Sequence, residues 1–264
     1  MRGPLLPRLW TERARKFWDI GRAVSYARAN RQLVAQPHLL DVGARGGLAK
    51  KWEFAYRRGL IRASLVEPDP DEAQRLRARY PKANVIEAAL GVGEGPRDLY
   101  LTHAAACSSL LPPDPTIVAK YLEPRDFDVD RVQSVQIEEA RALIERGVLE
   151  AASYLKIDVQ GTECEVLEGF GSYLTNVVAM ELEVNFVPLY QGMKLFHELH
   201  HYLSEHGFGL VALKPLGLAR DEIISANAYF IRRHAVGEIE DKRREFWRRL
   251  MGIPTGWQYS ILCG

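Results

Sequence analysis

Two short runs of this chain join an apolar stretch to an acid and a glycine turn. Leu155-Lys156-Ile157-Asp158-Val159-Gln160-Gly161-Thr162-Glu163 reads as a buried strand ending on Asp158, with a turn at Gly161 and Glu163 in the first turn of a following helix. Leu39-Leu40-Asp41-Val42-Gly43-Ala44-Arg45-Gly46-Gly47 repeats that design more than a hundred residues earlier. Open α/β sheets hold ligands at the carboxyl ends of their strands, and glycine there lets backbone amides approach the ligand closely. Two such strand ends predict one shared cleft.

The glycines alone do not select the ligand. Gly43-x-x-Gly46-Gly47 misses the G-x-G-x-x-G dinucleotide spacing and lacks the Lys-Ser/Thr of a phosphate loop. Asp41 discriminates better, because a carboxylate at the strand tip repels a pyrophosphate and attracts an ammonium or sulfonium group. Glu67, in Leu65-Val66-Glu67-Pro68-Asp69-Pro70, lies 24 residues after Gly43, about where an acid in such units hydrogen-bonds ribose hydroxyls. Taken alone, Glu67 reads equally well as the start of a turn ahead of Pro68. Together these residues predict a phosphate-free nucleoside, and S-adenosylmethionine has the required cations and no phosphate.

Methyl transfer from a sulfonium is an in-line displacement, so the protein must hold the acceptor near the methyl carbon; orientation supplies roughly 7–11 kcal/mol of barrier reduction. An alcohol acceptor must also lose its proton to a carboxylate, a histidine or a metal-bound base. Asp158 and Glu163 are the candidate catalytic residues, the second role open to Glu163 being a first-turn acid that favours the helix dipole. Lys156 shares the face of Asp158 if the strand stays regular, or pairs structurally with a nearby acid. Glu181 and Glu183 alternate with Leu182 and Val184 and so point to one face, which makes Glu183 a candidate on the acceptor side or a carboxylate meeting solvent. Tyr190 follows on a loop, to stack on an acceptor or to pack.

The elements that must position these groups alternate in type. Strands are predicted at His38–Val42, Ala63–Glu67, Asn84–Ala88, Asp98–Thr102, Tyr154–Asp158, Val177–Val184, Gly209–Leu213 and Ala228–Arg232. Helices are predicted at Ala49–Arg58, Asp71–Arg79, Ile137–Arg146 and Leu195–Glu205. The rhythm is that of an α/β protein with a mostly parallel sheet, the last strand pair being antiparallel because only a loop joins it. Residues 103–130, with Ser108-Ser109, Pro112-Pro113, Pro115 and Pro124, read as a long connection of the kind that covers active sites. Amphipathic helices over 8–34 and Val236–Met251 flank the array. The expected organisation is an N-terminal basic extension at 1–36, a main domain at 37–233 and a C-terminal helix and tail at 234–264.

Bulk properties narrow the class. The chain has 264 residues, 47% hydrophobic and 26% charged, enough for one large core. Cys107, Cys164 and Cys263 suggest neither a disulfide framework nor a zinc site. No apolar run reaches the roughly 20 residues a membrane span needs, and the expected location is cytoplasmic. The net charge of +1 conceals eight Lys/Arg against Glu12 and Asp19 in residues 1–36. That basic segment suits a solvated helix face, peripheral binding or self-association, and nothing in the acidic remainder suggests a nucleic-acid groove. His197-Glu198-Leu199-His200-His201 satisfies H-E-x-x-H, a zinc-hydrolase pattern with His197 and His201 as ligands and Glu198 as base, but Ser204 and Glu205 stand where the longer pattern needs glycine and histidine.

Asp41-Val42-Gly43-Ala44, Val66-Glu67-Pro68-Asp69-Pro70, Ala89-Leu90-Gly91, Ser108-Ser109-Leu110, Leu155 through Glu163, Val166-Leu167-Glu168-Gly169 and Pro188-Leu189-Tyr190 occur in this order within residues 38–232. In these blocks the chain resembles the FkbM-type S-adenosylmethionine-dependent methyltransferases. The resemblance implies a Rossmann-like class I methyltransferase fold, with a mostly parallel seven-stranded sheet, helices on both faces and an antiparallel last strand. It implies O-methylation of a hydroxyl on a sugar, glycan or polyketide-type small molecule. It places Asp41, Gly43, Ala44 and Gly46 on the methionine side, Glu67 and Pro68 at the ribose, and Ala88, Ala89 and Leu90 at the adenine, with Asp158 beside the cofactor. Ser108 on the cofactor side and Ser109 on the acceptor side are candidates to close over the site, or plain turn residues, and Glu183 and Tyr190 stay the acceptor-side candidates named above, each with its second reading. The sequence assigns no metal ligand, and a divalent ion has no motif to support it. The chain departs from the family at Asn227, where an aspartate is frequent. A non-catalytic scaffold that keeps this fold, with residues 1–36 and the Phe246-Trp247 helix as partner surfaces, is the alternative outside enzymology.

Overall fold

The computed structural model describes residues 21–29, 36–219, 221–233 and 238–253. In chain order the elements are β1 (His38–Val42), α1 (Lys50–Arg57), β2 (Arg62–Val66), α2 (Pro70–Arg79), β3 (Asn84–Ile86), β4 (Ala89–Leu90), β5 (Gly95–Thr102) and α3 (Pro115–Tyr121). There follow β6 (Val129–Glu138), α4 (Ala140–Glu145), β7 (Tyr154–Ile157), α5 (Glu163–Glu168), β8 (Ala179–Asn185), α6 (Phe196–Glu205), β9 (Phe208–Ala219), β10 (Glu222–Arg232) and α7 (Glu238–Leu250).

Seven strands form one sheet in the order β3-β2-β1-β7-β8-β10-β9. The pairs from β3 to β8 are parallel, and β10 runs antiparallel to both β8 and β9. β1 and β7 lie side by side at the centre, which brings the Asp41 and Asp158 strand ends together. Parallel central strands must be apolar on both faces. Leu40, Val42, Leu155 and Ile157 pack toward α4, α5 and α6, while Leu39, Leu65 and Tyr154 pack toward α1, α2 and α7. The sheet is thus covered on both sides, as the class I methyltransferase architecture requires.

Several sequence expectations shift. The strand expected at Asp98–Thr102 is longer and leaves the main sheet, since β5 pairs antiparallel with β6, and β6 pairs parallel with β4 in a separate three-stranded sheet. The helix expected from Ile137 begins only at Ala140, because Ile137 and Glu138 still belong to β6. β6 was hidden by its polarity: most of its residues are solvent-exposed, so no apolar alternation announces it. The connection over 103–130 carries helix α3, whose Asp114 N-cap accepts from the Thr116 and Ile117 amides. Residues 21–29 are helical and contribute Ala23 and Ala27 to the core; the rest of the helix expected over 8–34 lies outside the described residues. Phe246 and Trp247 are fully buried, so they serve the core and not an external partner surface.

Candidate active site

A cavity of about 300 Å³ opens where the tips of β1, β2 and β7 meet the loop after β5. Gly43 and Gly46 form one wall and Glu67 and Pro68 another, while Ala88, Ala89 and Leu90 give an apolar slot. Ser108, Ser109 and Leu110 cover it, and Asp158 and Gln160 close the far end. The loop is tied down locally, the Thr102 amide donating to Ser108 Oγ at 3.1 Å and Ser109 Oγ to Gln160 O at 2.6 Å.

Gly43 joins the two strand tips. Its φ is +77°, and a Cβ built there would meet the Asp158 carbonyl oxygen at 1.9 Å, so only glycine allows this approach. The Gly43 and Ala44 amides donate to Val66 O at 3.1 and 3.0 Å, and the Asp158 amide to Val42 O at 3.0 Å. The turn is therefore locked to both neighbouring strands.

Glu67 is buried at 2% exposure on one cavity wall. Its Oε1 accepts from the Asp69 amide at 3.0 Å and lies 3.4 Å from Arg45 Nη2, which also bonds Asp69 Oδ2 at 2.7 Å. No partner occupies Glu67 Oε2 among the described residues. Burial raises the Glu67 pKa, against the opposing pull of Arg45. A buried carboxylate with one spare oxygen beside an apolar slot suits a ribose diol carrying a flat base, so these residues fit a nucleoside.

Asp41 and Ala44 do not line the cavity. Ala44 is core, and the Asp41 carboxylate lies beneath the turn, 3.2 Å from Lys156 Nζ. Register explains this: Asp41, Lys156, Glu181 and Tyr229 occupy one row across β1, β7, β8 and β10. Lys156 Nζ also approaches Asp158 Oδ2 at 3.4 Å and Gly43 O at 3.2 Å, while Glu181 pairs with Lys51 at 2.7 Å. Burial pushes the Asp41 pKa up to about 6 despite Lys156. Burial works against the Lys156 ammonium, but Asp41 and Asp158 outweigh it and hold its pKa above the ordinary value.

Asp158 remains partly open, its side chain 32% exposed. One step beyond the paired Ile157 and Leu182, it comes level with Glu183, itself paired with Asn227 of β10. Burial, then the Asp158 charge, raises the Glu183 pKa to about 8. Glu163 folds back over its own turn, with Oε1 accepting from the Val159 amide at 3.2 Å and both oxygens from the Gly161 amide at 3.1 Å. It is 3% exposed, does not line the cavity, and burial raises its pKa to about 7. Of the two roles open to it, the geometry favours organising the turn. Tyr190 is wholly buried in an apolar cluster under the covering loop, its hydroxyl 2.8 Å from Cys107 O and 3.1 Å from Gln160 Oε1. No ring face is left for stacking on an acceptor.

The H-E-x-x-H segment lies on α6 with His197 and His201 toward solvent and Leu199 and Leu203 in the core. Glu198 is taken up by the Leu195 amide at 3.0 Å and Lys194 at 2.7 Å. Among the described residues no group of three or more His, Cys, Asp or Glu is arranged to hold a metal. No described helix is long and apolar enough to cross a membrane.

The model of the methyltransferase FkbM domain matches residues 41–210, from the Asp41 tip through β8 and into β9. The chain belongs to the FkbM methyltransferase family. No curated protein matches it in sequence. Among solved structures it is similar to an uncharacterized protein from Listeria monocytogenes serotype 4b, at 11% identity and TM-score 0.40, over 80% of this chain and 66% of that one. It is also similar to magnesium protoporphyrin IX methyltransferase from Synechocystis PCC 6803, at 9% identity and TM-score 0.37 over 88% and 86% of the two chains. A third is 1,6-didemethyltoxoflavin-N1-methyltransferase from Burkholderia thailandensis, at 12% identity and TM-score 0.37 over 89% and 94%.

Within this FkbM-family chain the matched segment holds every cavity residue named above, while β10 and its Asn227 lie outside it. Sequence reasoning missed Arg45, Gln160 and the Leu99 and Ala105 side of the cavity. Arg45 had a signal, as the one cation within a turn facing the acids of the next strand end. Gln160 stands inside the most informative motif, yet its left-handed backbone, φ +57°, is invisible to pattern reading.

Proposed function

We propose that this chain transfers the methyl group of S-adenosylmethionine to a hydroxyl oxygen of a small-molecule or glycan acceptor, of sugar or polyketide type. The observation that carries the proposal is the cavity joining the buried Glu67 carboxylate to the Asp158 tip across the Gly43 turn. When bound, the cofactor supplies an electrophilic methyl group on a sulfonium.

The protein's own residues do the rest. Glu67 holds the ribose hydroxyls, Ala88, Ala89 and Leu90 pack on the adenine, and the Gly43–Gly46 turn lies against the methionine portion. Asp158 orients the acceptor hydroxyl at its end of the cavity, and Glu183, level with Asp158 on β8 and outside the cavity lining, receives its proton as the new O–C bond forms; a base with pKa near the working pH is well matched to that task. The covering loop with Ser108 and Ser109 excludes water.

Calorimetry with S-adenosylmethionine and S-adenosylhomocysteine tests the cofactor. Saturable one-to-one binding is expected, and no binding at millimolar cofactor refutes the proposal in favour of a scaffold. Transfer of a tritiated methyl group to hydroxylated acceptors, with NMR of the product, tests the atom. A methyl found on nitrogen or carbon overturns the oxygen assignment.

A further inference from the structure

The glycine turn after β1 has almost no free backbone donors. The Gly43 and Ala44 amides donate to Val66 O at 3.1 and 3.0 Å, and the Gly47 amide to Ala44 O at 2.8 Å. The Gly46 amide donates to Glu72 Oε1 at 2.9 Å and the Leu48 amide to the Tyr80 hydroxyl at 3.1 Å. Glycine turns that cradle an anion do so with unused amides. Between Gly43 and Leu48 the Arg45 amide alone lacks an acceptor among the described residues, so this backbone offers an anion a single N–H.

The Arg45 side chain supplies what the backbone does not. It lines the cavity and is the only Lys, Arg or His among the described lining residues, whose acids are Glu67 and Asp158. The guanidinium is held at one corner, Nη2 donating to Asp69 Oδ2 at 2.7 Å and lying 3.4 Å from Glu67 Oε1. Asp69 is fixed in turn, because its Oδ1 accepts from the Asp71 amide at 3.0 Å at the start of α2. Arg45 Nε and Nη1 have no partner among the described residues, and the side chain keeps 24% exposure, so a ligand reaches it without unpacking the core. The other charges around the turn are already matched. Glu72 pairs with Arg75 at 3.1 Å, and Arg79 is spent on Gly46 O at 2.9 Å and Glu53 at 3.1 Å.

We infer that Arg45 is the carboxylate-binding residue of the cofactor site, pairing with the methionine carboxylate of S-adenosylmethionine while Glu67 takes the ribose. The inference rests on the methyltransferase reading above and deepens it. S-adenosylmethionine carries two cations, its ammonium and sulfonium, and one anion. Glu67 and Asp158 repel that anion, and the apolar slot of Ala88, Ala89 and Leu90 cannot solvate it. Arg45 stands in the very turn that lies against the methionine portion. Its planar guanidinium matches a carboxylate, and hydrogen bonds between two charged groups are roughly twice as strong as neutral ones. Because Asp69 already holds one corner of the guanidinium, less side-chain freedom is lost when the ligand binds.

The test is calorimetry on the full chain with two ligands, S-adenosylmethionine and decarboxylated S-adenosylmethionine, which keeps the sulfonium, amine, ribose and adenine and lacks only the carboxylate. The wild type is expected to bind the first about tenfold or more tightly than the second. Arg45→Met should bring the two affinities to within about twofold of each other, and Arg45→Lys, which keeps the charge without the planar donor edge, should restore part of the difference. An arginine that only supported the fold would weaken both ligands alike, so a wild-type ratio in folded Arg45→Met overturns the inference. Equal affinities in the wild type overturn it as well, and that result is readable even if Arg45→Met fails to fold. Failure of the wild type to bind either ligand would refute the methyltransferase reading itself, whereas binding of both with equal affinity would refute the role of Arg45 alone.

Discussion

Lys156 of β7 lies opposite Asp41 of β1, its Nζ 3.2 Å from Asp41 Oδ1, in a row where Asp41 is 1% exposed and the lysine side chain 16%. A buried pair of this kind costs a great deal to desolvate, and removing one partner leaves the other charge uncompensated. Lys156→Met is expected to destabilise the fold by about 3–5 kcal/mol in chemical denaturation. Asp41→Asn in the same background should recover part of that loss. If Lys156→Met is as stable as wild type, the pair does not hold the strand tips together.

The buried carboxyls set the pH dependence of stability. Asp41, Glu163 and Glu183 have folded pKa values raised, mainly by burial, to about 6, 7 and 8 from ordinary values of 3.8, 4.5 and 4.5. Between the ordinary and raised values the folded protein binds more protons than the unfolded chain, so stability falls as pH rises. Asp69 has the opposite sign. Burial opposes its ionisation, but the Arg45 hydrogen bond and charge together with the Asp71 and Glu72 amides outweigh it and lower its pKa, so its contribution is lost as pH falls through that lowered value. Thermal melts should therefore show greatest stability at about pH 4, around the ordinary carboxyl values, and a decline from there toward pH 8. Glu183→Gln should flatten the upper part of that decline.

Gly43→Ala addresses the contact between strand tips. The added methyl would overlap a backbone oxygen, and φ is positive, so neither the neighbour nor the residue can adjust cheaply. A loss of about 3 kcal/mol or more is expected, together with loss of cofactor binding. A folded Gly43→Ala protein with native affinity would show that the turn does not carry the ligand.

The strand tips were legible because an apolar run, an acid and glycines give a strand, its end and its turn from local sequence alone. What the acids do there was less legible. Asp41 was expected at the ligand, but the register sets it against Lys156, and register is decided by which strands become neighbours. Tyr190 was open to stacking on an acceptor or to packing, and a segment more than sixty residues earlier in sequence decides for packing by burying it against Phe127. Sequence placed Glu67 by its distance from Gly43, and the structure puts it on the cavity wall. The polar strand β6 and the left-handed Gln160 have no local signature, since one is stabilised by its partner strands and the other by contacts from two distant loops.

Glu67→Ala should weaken S-adenosylmethionine binding without unfolding the chain. Among the described residues its carboxylate bonds only the Asp69 amide and, weakly, Arg45, so the scaffold loses little. Hydrogen bonds from a ligand to a charged group contribute about 1.5–3 kcal/mol, which corresponds to a roughly 10- to 150-fold higher Kd. Calorimetry would read this, and an unchanged Kd would remove the ribose role from Glu67.

Asp158→Ala and Glu183→Gln separate orientation from proton transfer once an acceptor is in hand. Asp158 is partly exposed at a strand end, so Asp158→Ala should leave the melting temperature close to wild type while abolishing transfer. Glu183→Gln keeps shape and burial but cannot take a proton, and a positioned base contributes about 10²–10⁴-fold to rate. In the wild type kcat/KM should rise with pH to a plateau above about 8, as the Glu183 carboxyl ionises. In Glu183→Gln that rise should disappear and the residual rate should be flat across the same range. An active Asp158→Ala enzyme would remove Asp158 from the centre of the reaction, and a Glu183→Gln profile that still rises near pH 8 would assign the base to another group.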